Sequence, residues 1–246
     1  MRNVKLLIEY DGTNYKGWQI QKNANTIQEE LMKAIYKITG ENVDINGSAR
    51  TDAGVHAKGQ VANFMTSSQI AEHRFADAIN SALPEDIVIK SSCEVPKNFH
   101  SRFCAKGKRY SYTIHNSMYP KAIGRNYAYH TRYGDKLDIN KMMEASHYFI
   151  GTHDFAGFMS AGSNVKDTVR TIYSINIHHD KDMIIIDYHG NGFLYNMVRI
   201  ITGTLIYCGL SKIEMIHMGE IINSKDRKRA GATVPAKGLC LEEVFY

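Results

Sequence analysis

Proline is scarce in this chain, with four in 246 residues, which leaves no proline-rich linker as a major feature. Cysteine is equally scarce. Its four copies, Cys93, Cys104, Cys208 and Cys240, form no C-x-x-C pair, a pattern that fits reduced, buried thiols better than a disulfide frame or a zinc site. No apolar run reaches the length needed to span a bilayer, so no membrane partner is expected. The opening MRNVKLLIEYDG lacks the apolar core and cleavage site of a signal peptide, and the expectation is a cytoplasmic protein. There is no P-loop and no G-x-S-x-G. Gly190 and Gly192 precede a helical pattern but lack the third glycine and the parallel setting of a dinucleotide site. His178-His179-Asp180 falls at a turn without companion ligands, so no metal is expected.

What remains is the composition of an ordinary soluble globular protein, with 43% hydrophobic and 22% charged residues. The net charge of +5 is a mild excess and only weakly favours a polyanionic partner. Val4, Leu6, Ile8 and Tyr10 alternate as a strand that ends at Asp11-Gly12. Thr26-Ile27-Gln28-Glu29 reads as a capping box, followed by Ile27, Leu31, Ala34, Ile35 and Ile38 at helical spacing, with Gly40 as the stop. Strands around Val43–Gly47 and Val61–Met65, a helix from Phe75 to Ala82 and a strand from Ile87 to Lys90 complete a β-α-β-β-α-β order, the plan of a ferredoxin-like unit.

The second half nearly repeats the plan. Strands are expected at Arg109–Ile114, Asn126–Tyr133, Val169–Ile177, Met183–Tyr188 and Leu239–Phe245. Helical stripes follow Asp138 and run from Leu194 to Leu205, and Ser211-Lys212-Ile213-Glu214 reads as a second capping box. The expected class is α+β: two ferredoxin-like-plan halves with mainly antiparallel, mixed sheets and a cleft between them. The expected division is residues 1–105, carrying the loop described next, and 106–246, completing an RNA-binding cleft.

The stretch GSARTDAGVHAKGQVANF (Gly47 to Phe64) puts Arg50, Asp52 and His56 on one short connection between strands. Asp52 before Ala-Gly suits a tight turn. It equally suits a carboxylate kept ionised by a nearby arginine and used as nucleophile or base. Arg50 could pair with it, bind phosphate or be solvated. His56 could be an acid–base group or a structural histidine. Downstream, Lys106, Lys108 and Arg109 interleave with Tyr110 and Tyr112, which suits phosphate contact and base stacking, or a strand with two tyrosines in the core. Lys225, Arg227, Lys228 and Arg229 form another basic run, most simply a solvated surface. Arg199 lies five residues past Leu194, roughly 140° off the apolar stripe, and so faces solvent or a cleft. From residues alone the reading is an α+β protein that binds RNA or another anion, with Asp52 as its candidate for chemistry.

Ala49-Arg50-Thr51-Asp52-Ala53-Gly54-Val55-His56-Ala57 resembles the catalytic motif of the tRNA pseudouridine synthase A family. YDGTNYKGWQIQKNANTIQEEL, KRYSYTI, GTHDFAGF, VRTI, FLYNMVRIITGTL and TVPAKGLCLEEVFY resemble the family's other blocks in the same order. Ala49 stands where the family usually has glycine, and Val234 where alanine is common. The resemblance implies isomerisation of uridine to pseudouridine in the anticodon stem-loop of tRNA, at positions 38 to 40, by a homodimer that uses neither metal nor organic cofactor. It implies Asp52 as nucleophile and Arg199 as its partner, with Tyr110 stacking on the target base. Arg50 would hold the flipped nucleotide or fill the space it leaves. Lys106, Lys108 and the 225–229 run are then expected at phosphates, on composition.

Overall fold

In the computed structural model, residues 1–162 and 165–246 are described. Their strands are β1 (Arg2–Tyr10), β2 (Ile45–Gly47), β3 (His56–Thr66), β4 (Ile87–Val95), β5 (Gly107–Asn116), β6 (Tyr129–Thr131), β7 (Gly151–Asp154), β8 (Val169–Asp180), β9 (Met183–Gly190) and β10 (Leu239–Phe245). The helices are α1 (Ile27–Thr39), α2 (Phe75–Asn80), α3 (Ile139–Ser146), α4 (Met197–Gly209) and α5 (Met218–Ser224). The chain divides into two compact units, Met1–Lys106 with Cys240–Tyr246, and Gly107–Leu239.

In the first unit β1 is central, antiparallel to β3 on one side and β4 on the other. Its alternation decides its burial: Val4, Leu6 and Ile8 are fully buried on one face. β2 pairs antiparallel with β3 along residues 62–64. The order β4-β1-β3-β2 is that of the β-α-β-β-α-β plan read from the sequence. The start of β3, beyond the reach of β2, pairs in parallel with β10 through His56–Cys240 and Ala57–Leu241. The closing strand therefore belongs to the unit that holds the chain's start. α1 buries Ile27, Leu31, Ala34 and Ile35 and stops at Gly40, whose φ of +72° is the left-handed conformation glycine adopts freely. Phe64 of β3 and Phe75 of α2 meet edge to face, 5.8 Å between centroids.

The capping box expected at Thr26 is not formed. The Thr26 side chain caps nothing, and its hydroxyl is buried without a partner. Main-chain carbonyls do the capping instead: Ile27 N donates to Gly17 O at 3.2 Å and Gln28 N to Trp18 O at 3.0 Å.

In the second unit the strands run β6-β5-β9-β8-β7, with β6 parallel to β5 and the rest antiparallel. Only Tyr129–Thr131 of the expected 126–133 strand is paired. Asp138 caps α3 as expected, accepting from Lys141 N at 3.1 Å. α4 is buried at eleven positions, including Ile200, Ile201 and Leu205, as a helix apolar all round should be. The second expected capping box, Ser211 to Glu214, is also not formed. Ser211 has φ of +53°, and its N–H returns to Cys208 O at 2.9 Å, so it ends α4 rather than starting a helix.

Candidate active site

The connection from β2 to β3, residues 48–55, carries Arg50 and Asp52. Its entry is held by Gln60, which is fully buried on β3. Gln60 Oε1 accepts from Ser48 Oγ at 2.7 Å and from Ala49 N at 3.2 Å, while Nε2 donates to Ala49 O at 2.8 Å. Thr51 is fixed twice. Its carbonyl accepts from Trp18 N at 3.0 Å, and its hydroxyl bonds the Tyr10 hydroxyl at 2.6 Å in the interior. Burial pushes the Tyr10 hydroxyl far above its ordinary pKa, with the Thr51 bond acting the other way, so it stays protonated. Beyond Asp52, Val55 N donates to Asp52 O at 3.1 Å and closes a turn with Gly54 at φ +77°; Gly54 N donates to Tyr15 O at 3.2 Å.

Asp52 is thus half-buried and held on both sides, between buried Thr51 and a hydrogen-bonded turn. The turn and the loop that carries the carboxylate are one structure: the bonds of Ser48, Ala49, Thr51 and Val55 fix the main chain on either side of Asp52. His56 is buried at the start of β3. Its Nδ1 lies 3.1 Å from Gly12 N and 3.0 Å from Asp11 Oδ1, tying the loop's exit to the turn after β1.

Arg50 is exposed on the same loop. Near it stands Arg102, a residue absent from the sequence expectations. Partial desolvation first, and the Arg50 charge second, hold the Arg102 guanidinium below its usual range. Phe103 is 76% exposed, with the Arg102 guanidinium 5.7 Å from its centroid and the His100 ring 4.3 Å away. Two like charges beside an exposed stacked aromatic suit phosphate and base contact. The signal was legible as His-Ser-Arg-Phe at 100–103, but no periodic pattern marked it. Lys106 is exposed at the end of the same unit, its N–H donating to Phe245 O at 2.8 Å.

The second unit places the other expected residues. Lys108, Tyr110 and Tyr112 share one face of β5 by strand alternation. Tyr110 is 8% exposed and meets Phe193 edge to face at 5.3 Å. Tyr112 is fully buried and donates to Pro235 O at 2.7 Å. Burial pushes its hydroxyl far up, against the pull of the Arg199 charge. Arg199 sits in the first turn of α4, partly buried. Nε donates to Val234 O at 2.7 Å and Nη1 to Asn196 Oδ1 at 2.6 Å, so the guanidinium plane is fixed. The helical count from Leu194 does not apply, because α4 begins at Met197 after Asn196 in the left-handed region, φ +61°. In the 225–229 run, Lys225 pairs with Asp154 at 2.7 Å and Arg229 with Glu220 at 3.4 Å.

A sequence profile described as tRNA pseudouridine synthase matches residues 6–104 and 145–246, most of the chain. The chain belongs to the tRNA pseudouridine synthase family. Among its relatives, tRNA pseudouridine synthase A of Acetivibrio thermocellus is 54% identical over 246 residues, covering 100% of each chain. The protein of the same name from Clostridium acetobutylicum is 55% identical over the same span and coverage. tRNA pseudouridine synthase A 2 of Clostridium perfringens is 52% identical, again over 100% of both chains. The family profile includes Arg50, Asp52, Arg102 and Arg199; Lys106, Lys108 and Tyr110 fall in the gap between its matched spans. Among the described residues, no group of three or more His, Cys, Asp or Glu is arranged to hold a metal. No helix of the described residues is long and apolar enough to cross a membrane.

Proposed function

We propose that this chain isomerises uridine to pseudouridine in the anticodon stem-loop of tRNA, at positions 38 to 40, with Asp52 as nucleophile. The observation that carries the proposal is the clamped loop of a family member: Asp52 stands between Thr51, fixed by Trp18 and Tyr10, and the Gly54 turn. A base in a stem must be extruded before it can react, at a cost of a few kcal/mol. Arg50 and Arg102 supply charge for the strained backbone, and Arg50 takes the place of the base or holds it.

Asp52 attacks the target nucleotide, at sugar or base, and the bond from C1′ to N1 breaks. The uracil turns and rejoins C1′ through C5, the bond to Asp52 breaks and returns its carboxylate, and C5 gives up its proton while N1 gains one. Bonds and electrons balance within one nucleotide, so the reaction is redox-neutral and needs no cofactor. Tyr110 is assigned to stack on the base and to take part in removing that proton. Arg199 is assigned as the cation that keeps the nucleophile ionised. Lys106 and Lys108 are assigned to phosphates. We also infer a cytoplasmic homodimer. Met118, Tyr119, Ile123 and Tyr127, 53% to 92% exposed on one segment, support a surface for self-association.

The test uses anticodon stem-loop RNA tritiated at uracil C5, since C–C bond formation must release that label. Wild type should release tritium and Asp52→Asn should not, while both bind the RNA. Release by Asp52→Asn at the wild-type rate would remove Asp52 from the mechanism. Sedimentation would decide the dimer.

A further inference from the structure

A cavity of about 600 Å³ lies within the second unit, around the end of β5 and the segment that follows it. Its wall carries His115 of β5, Lys121 and Arg125 from the loop between β5 and β6, Tyr129 and His130 of β6, and Lys237 before β10. Five of its eleven lining residues are cationic or can become so, and none is acidic. The size suits a small ligand site.

The charges in this wall are not neutralised locally. Lys121 Nζ lies 3.2 Å from the thioether of Met183, and Arg125 Nη1 turns back to Ala122 O at 3.3 Å. Among the described residues neither they nor Lys237 pair with a carboxylate. His130 Nε2 lies 2.9 Å from Ser117 O, which fixes its ring 5.5 Å from that of His115. The field is felt at His115: burial, then Lys121, then His130 push its pKa down, with Asp182 opposing weakly. A concave surface that gathers like charges without carboxylates is complementary to an anion, and low-dielectric walls strengthen its pull. The apolar remainder, prolines and alanines, offers contact for a ribose. The same loop is two-sided: Lys121 and Arg125 line the cavity while Ile123, between them, is 92% exposed.

We propose that this cavity binds the phosphodiester backbone of the tRNA, at a point five residues along β5 from Tyr110, roughly 17 Å at strand rise. It grips RNA away from the target uridine and adds affinity without touching the reacting centre. The proposal rests on the tRNA reading above.

The test is a full-length variant carrying Lys121→Ala, Arg125→Ala and Lys237→Ala, binding full-length tRNA from about 0.05 to 0.3 M salt. Loss of three phosphate contacts should make the log–log salt slope shallower by about 2 to 3 and raise Kd at least ~10-fold at physiological salt. The rate at saturating tRNA should stay within about twofold, because no lining residue belongs to the reacting centre. A charge-preserving variant, Lys121→Arg with Lys237→Arg, should restore the slope. An unchanged slope and Kd in a folded triple variant would overturn the proposal, and so would failure of the charge-preserving variant to rescue. Titration with inorganic phosphate separates the sources. Phosphate binding that does not compete with tRNA would make this a free-phosphate site and end the claim. Failure of the catalytic reading shows separately, as wild type that binds no tRNA or makes no pseudouridine.

Discussion

Gln60 holds the entry of the loop that carries Asp52, and Gln60→Leu is the substitution that tests it. Leucine fits the volume but offers no polar atom. The Ser48 hydroxyl loses the Gln60 oxygen as acceptor at 2.7 Å, and Val61 N, 3.4 Å away, donates to it and cannot take that place. Ala49, 5% exposed, loses partners on both its N–H and its C=O. Two orphaned buried main-chain groups cost about 1–3 kcal/mol each, or ~2–6 kcal/mol together. That is a large share of the ~5–15 kcal/mol that holds a domain folded. The chain supplies its own probe. Trp18 is its one tryptophan, is 1% exposed, and donates its N–H to Thr51 O. Urea unfolding followed by Trp18 emission should shift to lower midpoint by that amount. The rate of pseudouridine formation at saturating RNA should fall at least ~10-fold under native conditions, because a misplacement near 1 Å is costly to an attacking group. A midpoint change worth less than about 1 kcal/mol, with unchanged rate, would refute the claim that Gln60 holds the loop.

Three further outcomes are expected. Gly17→Ala should lower the Trp18 unfolding midpoint by the equivalent of ~2 kcal/mol or more: the residue sits at φ +97° and a Cβ would lie 2.6 Å from Thr51 O. Asp154 is held below the usual carboxylate pKa by Lys225 first, then Thr168, with burial opposing. Its contribution is complete above the unfolded carboxylate value and is lost as pH falls through the lower folded one. Lys225→Met should therefore narrow the gap between Tm at pH 7 and Tm near pH 3, and an identical gap would dismiss the pair. Burial pushes the Cys208 thiol up to about 11 and the Cys240 thiol up to about 12, whereas Cys104 is exposed. Maleimide near neutral pH, read by peptide mass, should label Cys104 and spare those two; prompt labelling of Cys208 would count against its burial.

Local chemistry was legible where it acts locally. The alternation in β1, the stripe and Gly40 stop of α1, and the Asp138 cap of α3 all depend on neighbours a few residues away. The two capping boxes failed for a reason the letters do not carry. At Thr26 the carbonyls of Gly17 and Trp18 already take the Ile27 and Gln28 amides, the second of which a cap side chain can use. At Ser211 the preceding helix uses the residue as its end. The partner of β10 was not readable, because Lys58 and Glu242 meet at 3.1 Å across 184 positions of chain. The letters of the Asp52 loop stood out, but what holds it, Gln60, Trp18 and Tyr10, looked like ordinary strand and turn residues. Arg199 was identified by resemblance. Its aim comes from Val234 O and Asn196 Oδ1, which a helical count cannot supply.

Residue 18 joins two tasks. Its carbonyl receives Gln28 N at the head of α1, and its N–H reaches Thr51 O, next to the aspartate. The connector from Gln19 to Thr26 closes that bridge. Lys22 and Asn23 at its middle are exposed, whereas Gln19 Nε2 and Ile20 N bond the Gln28 side chain at 2.9 and 3.0 Å and Thr26 O accepts from Glu30 N at 3.2 Å. An inserted or deleted residue there would pull the helix start and the Asp52 loop out of step at once, so the exposed middle of this connector should tolerate changes of letter while the whole rejects changes of count.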